Sequence, residues 1–352
     1  MAPRLKVADS KGEMVEERAF ASEGFDHGAA MGEILSVGVK LLRGEPVAAF
    51  GHRVVHDGVR YDSPVRVTSG VLDDLARLAP LAPLHQPHNL AAITTIMNVA
   101  PQIAQVACFD TAFHRKQSYL AQAFALPRRF ADAGVRRYGF HGLCYEFLVA
   151  RFGELPPTLA NARIVIAHLG NGASMCAVKD GRSVATTMGF TAVDGLMMGT
   201  RCGAIDPGVI LYMMQEYGLD AAAIEDLIYR QSGLLGVFGI SSDMRALRAS
   251  AEPAASEAIA LFVYRIVREL GSLVAALGGI DALVFSGGIG EHDAMTRAEV
   301  VNGSRWIEVA LDPDCNSRSD LRISAEDSAV SVWAVPTDEE RLIARHTAAV
   351  LS

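Results

Sequence analysis

The stretch from Arg163 to Gly203, RIVIAHLGNGASMCAVKDGRSVATTMGFTAVDGLMMGTRCG, constrains the fold more than any other part of the chain. It opens with Ile164-Val165-Ile166-Ala167, a β-branched apolar run of the kind that makes a buried strand. The run ends at Asn171-Gly172, a strong hairpin signal because both positions tolerate positive φ. A second strand, Ser174 to Val178, leads to a second hairpin turn at Asp180-Gly181, and a third strand covers Ser183 to Thr187. A three-stranded meander with a polar, glycine-bearing first turn can present backbone N–H groups to phosphate oxygens. A glycine-spaced loop then delivers Arg201, whose guanidinium suits a carboxylate or a phosphoryl group. Each piece alone also has a purely structural reading: Asn-Gly turns close hairpins, and arginines make surface ion pairs.

The rest of the chain reads as alternating strands and helices. The strands are Val47–Val55, Ile103–Phe109, Ala282–Phe285 and Val330–Val335. The helices are 27–42, 71–81, 90–99, 208–216, 221–229, about 256–277, and one from Tyr138-Gly139-Phe140-His141-Gly142 to about Phe152. Leu5–Ala8 and Met14–Phe20 read as a hairpin entering a sheet. Leu84-His85-Gln86, between Pro83 and Pro87, reads as an extended loop. Polar groups at strand ends, such as Asp110 after Phe109, lie where α/β proteins place ligands. With 352 residues the chain exceeds what one core usually fills, about 250–300, so two domains are expected.

The formal net charge of −8 argues against a nucleic-acid surface. Cysteines 108, 144, 176, 202 and 315 are odd in number and contain no CxxC pair, which fits a reducing cytosol. Residues 1–10 mix Arg4, Lys6 and Asp9 with no apolar core, so no secretory signal is read there. No stretch is apolar for long enough to span a membrane. A cytoplasmic location follows as the expectation.

Three groups could do chemistry. Gly287-Gly288-x-Gly290, after a strand and before a helix, lets backbone approach a phosphate or nucleoside, but it lacks the dinucleotide spacing and a Walker lysine. His52 and His56 have zincin spacing without the general-base glutamate, on a run that reads as strand. Asp110 and Glu339 are carboxylates placed as hard-cation ligands would be, or as helix-capping acids.

Nine motifs together closely resemble the acetate kinase family: GHRVVHDG (51–58), LAPLHQPHN (81–89), FDTAFH (109–114), YGFHG (138–142), HLGNG (168–172), GFT…GLMMGTRCGAIDP (189–207), SGLLGVFG (232–239), SGGIGE (286–291) and PTDEE (336–340). The resemblance covers nearly the whole chain. It implies an α/β fold of two RNase H-like, actin-like ATPase domains with a nucleotide cleft between them, assembled as a homodimer. The first domain is expected at 1–110 plus 339–352 and the second at 111–338. The implied activity is reversible phosphoryl transfer from ATP to acetate, giving acetyl phosphate and ADP with Mg²⁺ or Mn²⁺. A propionate- or butyrate-preferring kinase, or a nucleotide-binding protein without phosphotransfer, is the alternative.

Carried over position by position, the resemblance implies that Arg53 and Arg201 hold the carboxylate and the phosphoryl group in transfer. His141 would stabilise the equatorial oxygens, Asp110 would be the catalytic aspartate, and Glu339 would be linked to the metal. The nucleotide would meet His168, Leu169, Gly170, Asn171 and Gly172, then Asp243, Met244 and Arg245, and Gly288, Ile289, Gly290, Glu291 and His292. Val55, Leu84, Phe140 and Ala192 would wall the acyl pocket. The sequence departs from the pattern at Ala192 (proline in the family), His292 (asparagine) and Leu143-Cys144-Tyr145 (threonine, serine, histidine). The family's opening strand, N-x-G-S-S-S-x-K loop and second strand have no counterpart after Met1, so an incomplete first domain and weak turnover are expected.

Overall fold

The computed structural model describes residues 3–8, 13–21, 25, 27–83, 85–154 and 162–352. These form two compact units. The first contains residues 1–58, 63–108 and 343–352, and the second 59–62 and 109–342. Asp110 and Glu339 both belong to the second.

The second unit is organised on residues 163–203. Strands β6 (Ile164–Leu169), β7 (Ala173–Lys179) and β8 (Arg182–Thr186) form an antiparallel meander. β9 (Ala282–Ser286) and β10 (Ser331–Ala334) add in parallel on the other side of β6, giving the order β10-β9-β6-β7-β8. β9 is buried throughout, and β7 is buried up to Val178, so both read as near-continuous apolar runs. The helix Pro253–Leu277 packs over β7 and β8. It buries Ile259, Phe262, Ile266, Leu270, Leu273 and Leu277 at helical spacing. It starts earlier than the apolar pattern because Pro253, which has no N–H to satisfy, occupies its first turn. Gly278, at φ 70°, stops it.

The two hairpin turns differ. Asp180 and Gly181 have φ of 51° and 69°, as a two-residue primed turn requires. The Asn171-Gly172 turn spans Gly170 to Gly172, and none of the three has positive φ. Gly170 N–H donates to Gly172 O (3.0 Å) while Asn171 O accepts from Gly199 N–H (2.9 Å). Tertiary pairing with the loop at Gly199 thus replaces the local turn geometry.

In the first unit, β3 (Ala49–Val54), β5 (Ala104–Phe109) and β4 (Val65–Arg66) form a sheet in the order β3-β5-β4. The hairpin β1 (Arg4–Ala8) and β2 (Met14–Ala19) is a separate two-stranded sheet among the described residues, not an extension of the other. Gln86 and Pro87 open the helix Gln86–Val99, so the expected extended loop is shorter than read. Leu84 lies outside the described residues. No described helix is long and apolar enough to cross a membrane.

Candidate active site

The parallel register of β6, β9 and β10 builds the site. His168 pairs with Ser286 at the carboxyl ends of β6 and β9, so HLGNG and SGGIGE emerge side by side. A Cβ placed on Gly170 would be 3.9 Å from Gly288 N. β10 runs beside β9, Val335 N–H donates to Phe285 O (2.9 Å), and the chain continues into PTDEE. Glu291 ties these loops together: Oε1 accepts from Gly287 N–H (2.9 Å) and Thr337 N–H (3.2 Å). The expected nucleotide residues 168–172 and 288–292 and the expected metal residue Glu339 therefore share one edge of the sheet. Nothing lies within 4 Å of the Cβ position of Gly288, so that backbone is open to a ligand.

Asp110 follows β5 and is 1% exposed. Its carbonyl accepts from Gly142 N–H (2.7 Å), and a side chain at Gly142 would overlap Asp110 O and lie 3.0 Å from Phe113 Cβ. This close approach explains the glycine after His141. His141 adopts φ 57°, a left-handed conformation uncommon outside glycine. Its ring stacks on that of His168, with centroids 4.3 Å apart.

His141 Nδ1 lies 2.8 Å from Ser174 Oγ, which the buried Tyr145 hydroxyl also hydrogen-bonds. Burial raises the Tyr145 pKa well above its ordinary value and keeps the phenol neutral. When Tyr145 donates to Ser174 and Ser174 donates to His141 Nδ1, the imidazole carries its proton on Nε2. A Cβ at Gly172 would meet His141 Nε2 at 3.4 Å and Arg201 Nη2 at 3.0 Å, so both groups face the glycine turn of HLGNG.

Arg201 Nη1 donates to Ala192 O (2.7 Å), which fixes one arm of the guanidinium and leaves Nη2 toward Gly172. Burial lowers its pKa from the ordinary value. Phe140 is buried, and its carbonyl accepts from His114 Nε2–H (3.0 Å). Ser183 Oγ lies 2.8 Å from His114 Nδ1. Burial pushes the His114 pKa down to about 4, so this ring is a neutral strut.

Asp243 caps the helix Met244–Ala249 and pairs with exposed Arg245 (2.6 Å), while Met244 is buried. From the same helix Arg248 pairs with Asp293 (3.3 Å) and Glu299 (2.6 Å), joining this loop to the end of the helix Gly287–His292. Arg297, fully buried, donates to Gly290 O (2.9 Å), Glu291 O (2.8 Å) and Asn316 O (2.7 Å). Ile289 sits inside that short helix, and His292 is its exposed last residue.

Cys144, His168 and Glu339 place one potential ligand atom each within 4.8 Å of one another, the one such group among the described residues. Cys144 Sγ is 3.1 Å from His168 Nδ1, and burial pushes the thiol pKa up to about 12.

Arg53 and Val55 belong to the first unit. Arg53 lies within β3, as expected from the apolar run, and strand alternation turns His52 and Val54 inward and Arg53 outward. Val55 is buried, and its N–H donates to Asn89 Oδ1 (3.1 Å). The zincin spacing has a structural explanation. His52 Nε2 is 2.7 Å from Gln105 Oε1 on β5, and His56 Nδ1 accepts from Gly58 N–H (2.8 Å).

The acetokinase family pattern matches residues 5–345. The chain belongs to the acetokinase family. An acetate kinase of Rhodopseudomonas palustris is 54% identical over 347 residues, covering 98% of this chain and 87% of the relative. One from Methylocella silvestris is 53% identical over 350 residues. The crystal structure of Porphyromonas gingivalis acetate kinase, 38% identical, superposes with a TM-score of 0.88, covering 100% of this chain and 90% of that one. A propionate kinase from Francisella tularensis, 32% identical, gives 0.89 over 94% and 86%. As a member of this family the chain is a phosphotransferase that uses a carboxylate acceptor, with the α/β, actin-like ATPase fold of its structural neighbours.

Ser174, Tyr145, His114, Arg248 and Arg297 carry or brace the site without having been singled out for it. Ser174 had one sequence signal, a lone hydroxyl at the head of an apolar strand.

Proposed function

We propose that this chain transfers the γ-phosphoryl group of ATP reversibly to acetate. The observation that carries the reading is the convergence of His141 Nε2 and Arg201 Nη2 on Gly172, beside the two glycine loops. Phosphoryl transfer through a loose transition state needs in-line positioning and donors around three equatorial oxygens. Arg201 supplies a fixed cation and His141 an N–H held by the Ser174 relay. The acetate oxygen forms the new bond to phosphorus as the bond to the bridging oxygen of ADP breaks and that oxygen takes the electron pair. A carboxylate is already ionised at neutral pH, so no strong general base is required. Asp110 is accordingly an orienting group, and Arg53 binds the acceptor carboxylate.

The carboxylates of Asp110 and Glu339 are hard oxygen donors and fit Mg²⁺ or Mn²⁺. When bound with the nucleotide, the cation supplies charge neutralisation at the phosphates. The glycine loops 168–172 and 288–292, with 243–245, bind the nucleotide, and Phe140 and Ala192 face the acyl group. We place the enzyme in the cytoplasm, and we read it as a homodimer, to which the exposed apolar side chains Leu211, Tyr212, Met214 and Tyr217 in and after the helix Pro207–Glu216 offer a surface.

A propionate-accepting kinase is the second reading, favoured by the small side chain of Ala192 next to Arg201. A coupled assay of acetyl phosphate with ADP, run beside a measurement of ATP binding, tests the main one. Turnover supports it; ATP binding without turnover in either direction overturns it.

A further inference from the structure

We propose that Cys144, His168 and Glu339 form a site for a thiophilic divalent cation, Zn²⁺ or Co²⁺, whose occupancy inhibits the enzyme. The inhibition rests on the kinase reading; the metal binding does not.

The three residues come from three elements: the first turn of the helix Gly142–Glu154, the carboxyl end of β6, and the first residue of the helix Glu339–Leu351. Their ligand atoms lie within 4.8 Å of one another, with Cys144 Sγ 3.1 Å from His168 Nδ1. Tetrahedral zinc, with bonds of about 2.3 Å to sulfur and about 2.0–2.2 Å to nitrogen and oxygen, sets its ligand atoms about 3.3–3.6 Å apart. A side-chain adjustment of about 1 Å therefore meets that geometry. The imidazole is already aimed: stacking on His141 fixes its plane, and Nδ1 is the nitrogen that faces the thiol. Cys144 is buried at the back, whereas His168 and Glu339 are partly exposed, so a cation enters from their side. Three protein ligands leave a fourth position for water or a phosphate oxygen.

The donor set decides the class of cation. A thiolate beside an imidazole and one carboxylate suits zinc or cobalt, whereas Mg²⁺ takes oxygen donors and keeps several waters. On binding, a metal–sulfur bond forms and the thiol proton passes to solvent. A cation held there engages Glu339 and the His168 edge of the nucleotide loop, and so removes the carboxylate assigned to Mg²⁺.

The test is titration of the purified wild-type protein with Co²⁺. The expected result is a thiolate-to-cobalt charge-transfer absorption that saturates at one equivalent and is bleached by Zn²⁺. Cys144→Ser should lose the band, keep Mg²⁺–ATP turnover, and bind Zn²⁺ more weakly by at least about 10–100-fold, the loss seen when even an outer partner of a metal ligand is removed. Zinc inhibition should weaken by the same factor. For a variant that fails to fold, zinc-edge X-ray absorption on the wild type replaces it, with one sulfur expected at about 2.3 Å. No cobalt–thiolate band, a band that survives in Cys144→Ser, or a zinc shell of nitrogen and oxygen alone overturns the proposal. None of these readouts needs turnover, so they stand apart from a failure of the kinase assignment.

Discussion

Replacing Arg201 with alanine tests the charge at the transferring phosphoryl group. Among the described residues its side chain makes a single hydrogen bond, Nη1 to Ala192 O, so the folded state loses one partner for a carbonyl. That loss costs about 1–2 kcal/mol, well inside a typical domain stability of about 5–15 kcal/mol, and the variant should fold. Catalysis should suffer more. A preorganised donor that meets charge developing in the transition state is worth about 10²–10³ in kcat, or about 2.7–4 kcal/mol. Arg201→Lys should not restore it, because a lysine has one ammonium where the guanidinium uses one arm on Ala192 O and another toward Gly172. The assay is acetyl phosphate formation at saturating ATP and acetate, with kcat and KM separated. Arg53→Ala should act mainly on the KM for acetate. Near-normal kcat in Arg201→Ala, or full activity in Arg201→Lys, would remove Arg201 from the mechanism.

Ala192→Pro should shift kcat/KM from propionate toward acetate by up to the about 1–3 kcal/mol that one methylene is worth in an apolar pocket; an unchanged ratio means Ala192 does not face the acyl group. Ser174→Ala removes the hydroxyl 2.8 Å from His141 Nδ1, and kcat should fall with an altered pH profile. Tyr145→Phe should do less, and an unchanged profile in Ser174→Ala argues against the relay. His114, whose pKa is near 4 when folded and near 6.5 when unfolded, is protonated first in the unfolded chain as pH falls. Its contribution to stability is therefore present above about pH 6.5 and lost toward pH 4, by about 3 kcal/mol, and a urea series should show that slope reduced in His114→Gln.

The local half of this site was legible in the sequence because each loop follows a strand with an unmistakable apolar run. Asp110 and the glycine loops could be placed at strand ends from the apolar runs before them, whereas roles for Arg201 and His141 came only with the resemblance to a family. What could not be read was the register of distant strands. That His168 stands beside Ser286 depends on β6 and β9 pairing across more than a hundred residues of intervening chain, and no local periodicity encodes it. The Asn171-Gly172 turn shows the same limit: its dipeptide predicts positive φ, but pairing with Gly199 gives another geometry. Buried braces such as Arg297 and His114 look like ordinary surface types in sequence, and only their carbonyl partners reveal the role.

Phosphorus NMR of the purified protein with ATP, Mg²⁺ and acetate tests the central claim most directly. The account predicts acetyl phosphate and ADP rising together, only when acetate is present, and the reverse reaction on adding ADP to acetyl phosphate. Inorganic phosphate released from ATP at the same rate with or without acetate would contradict it.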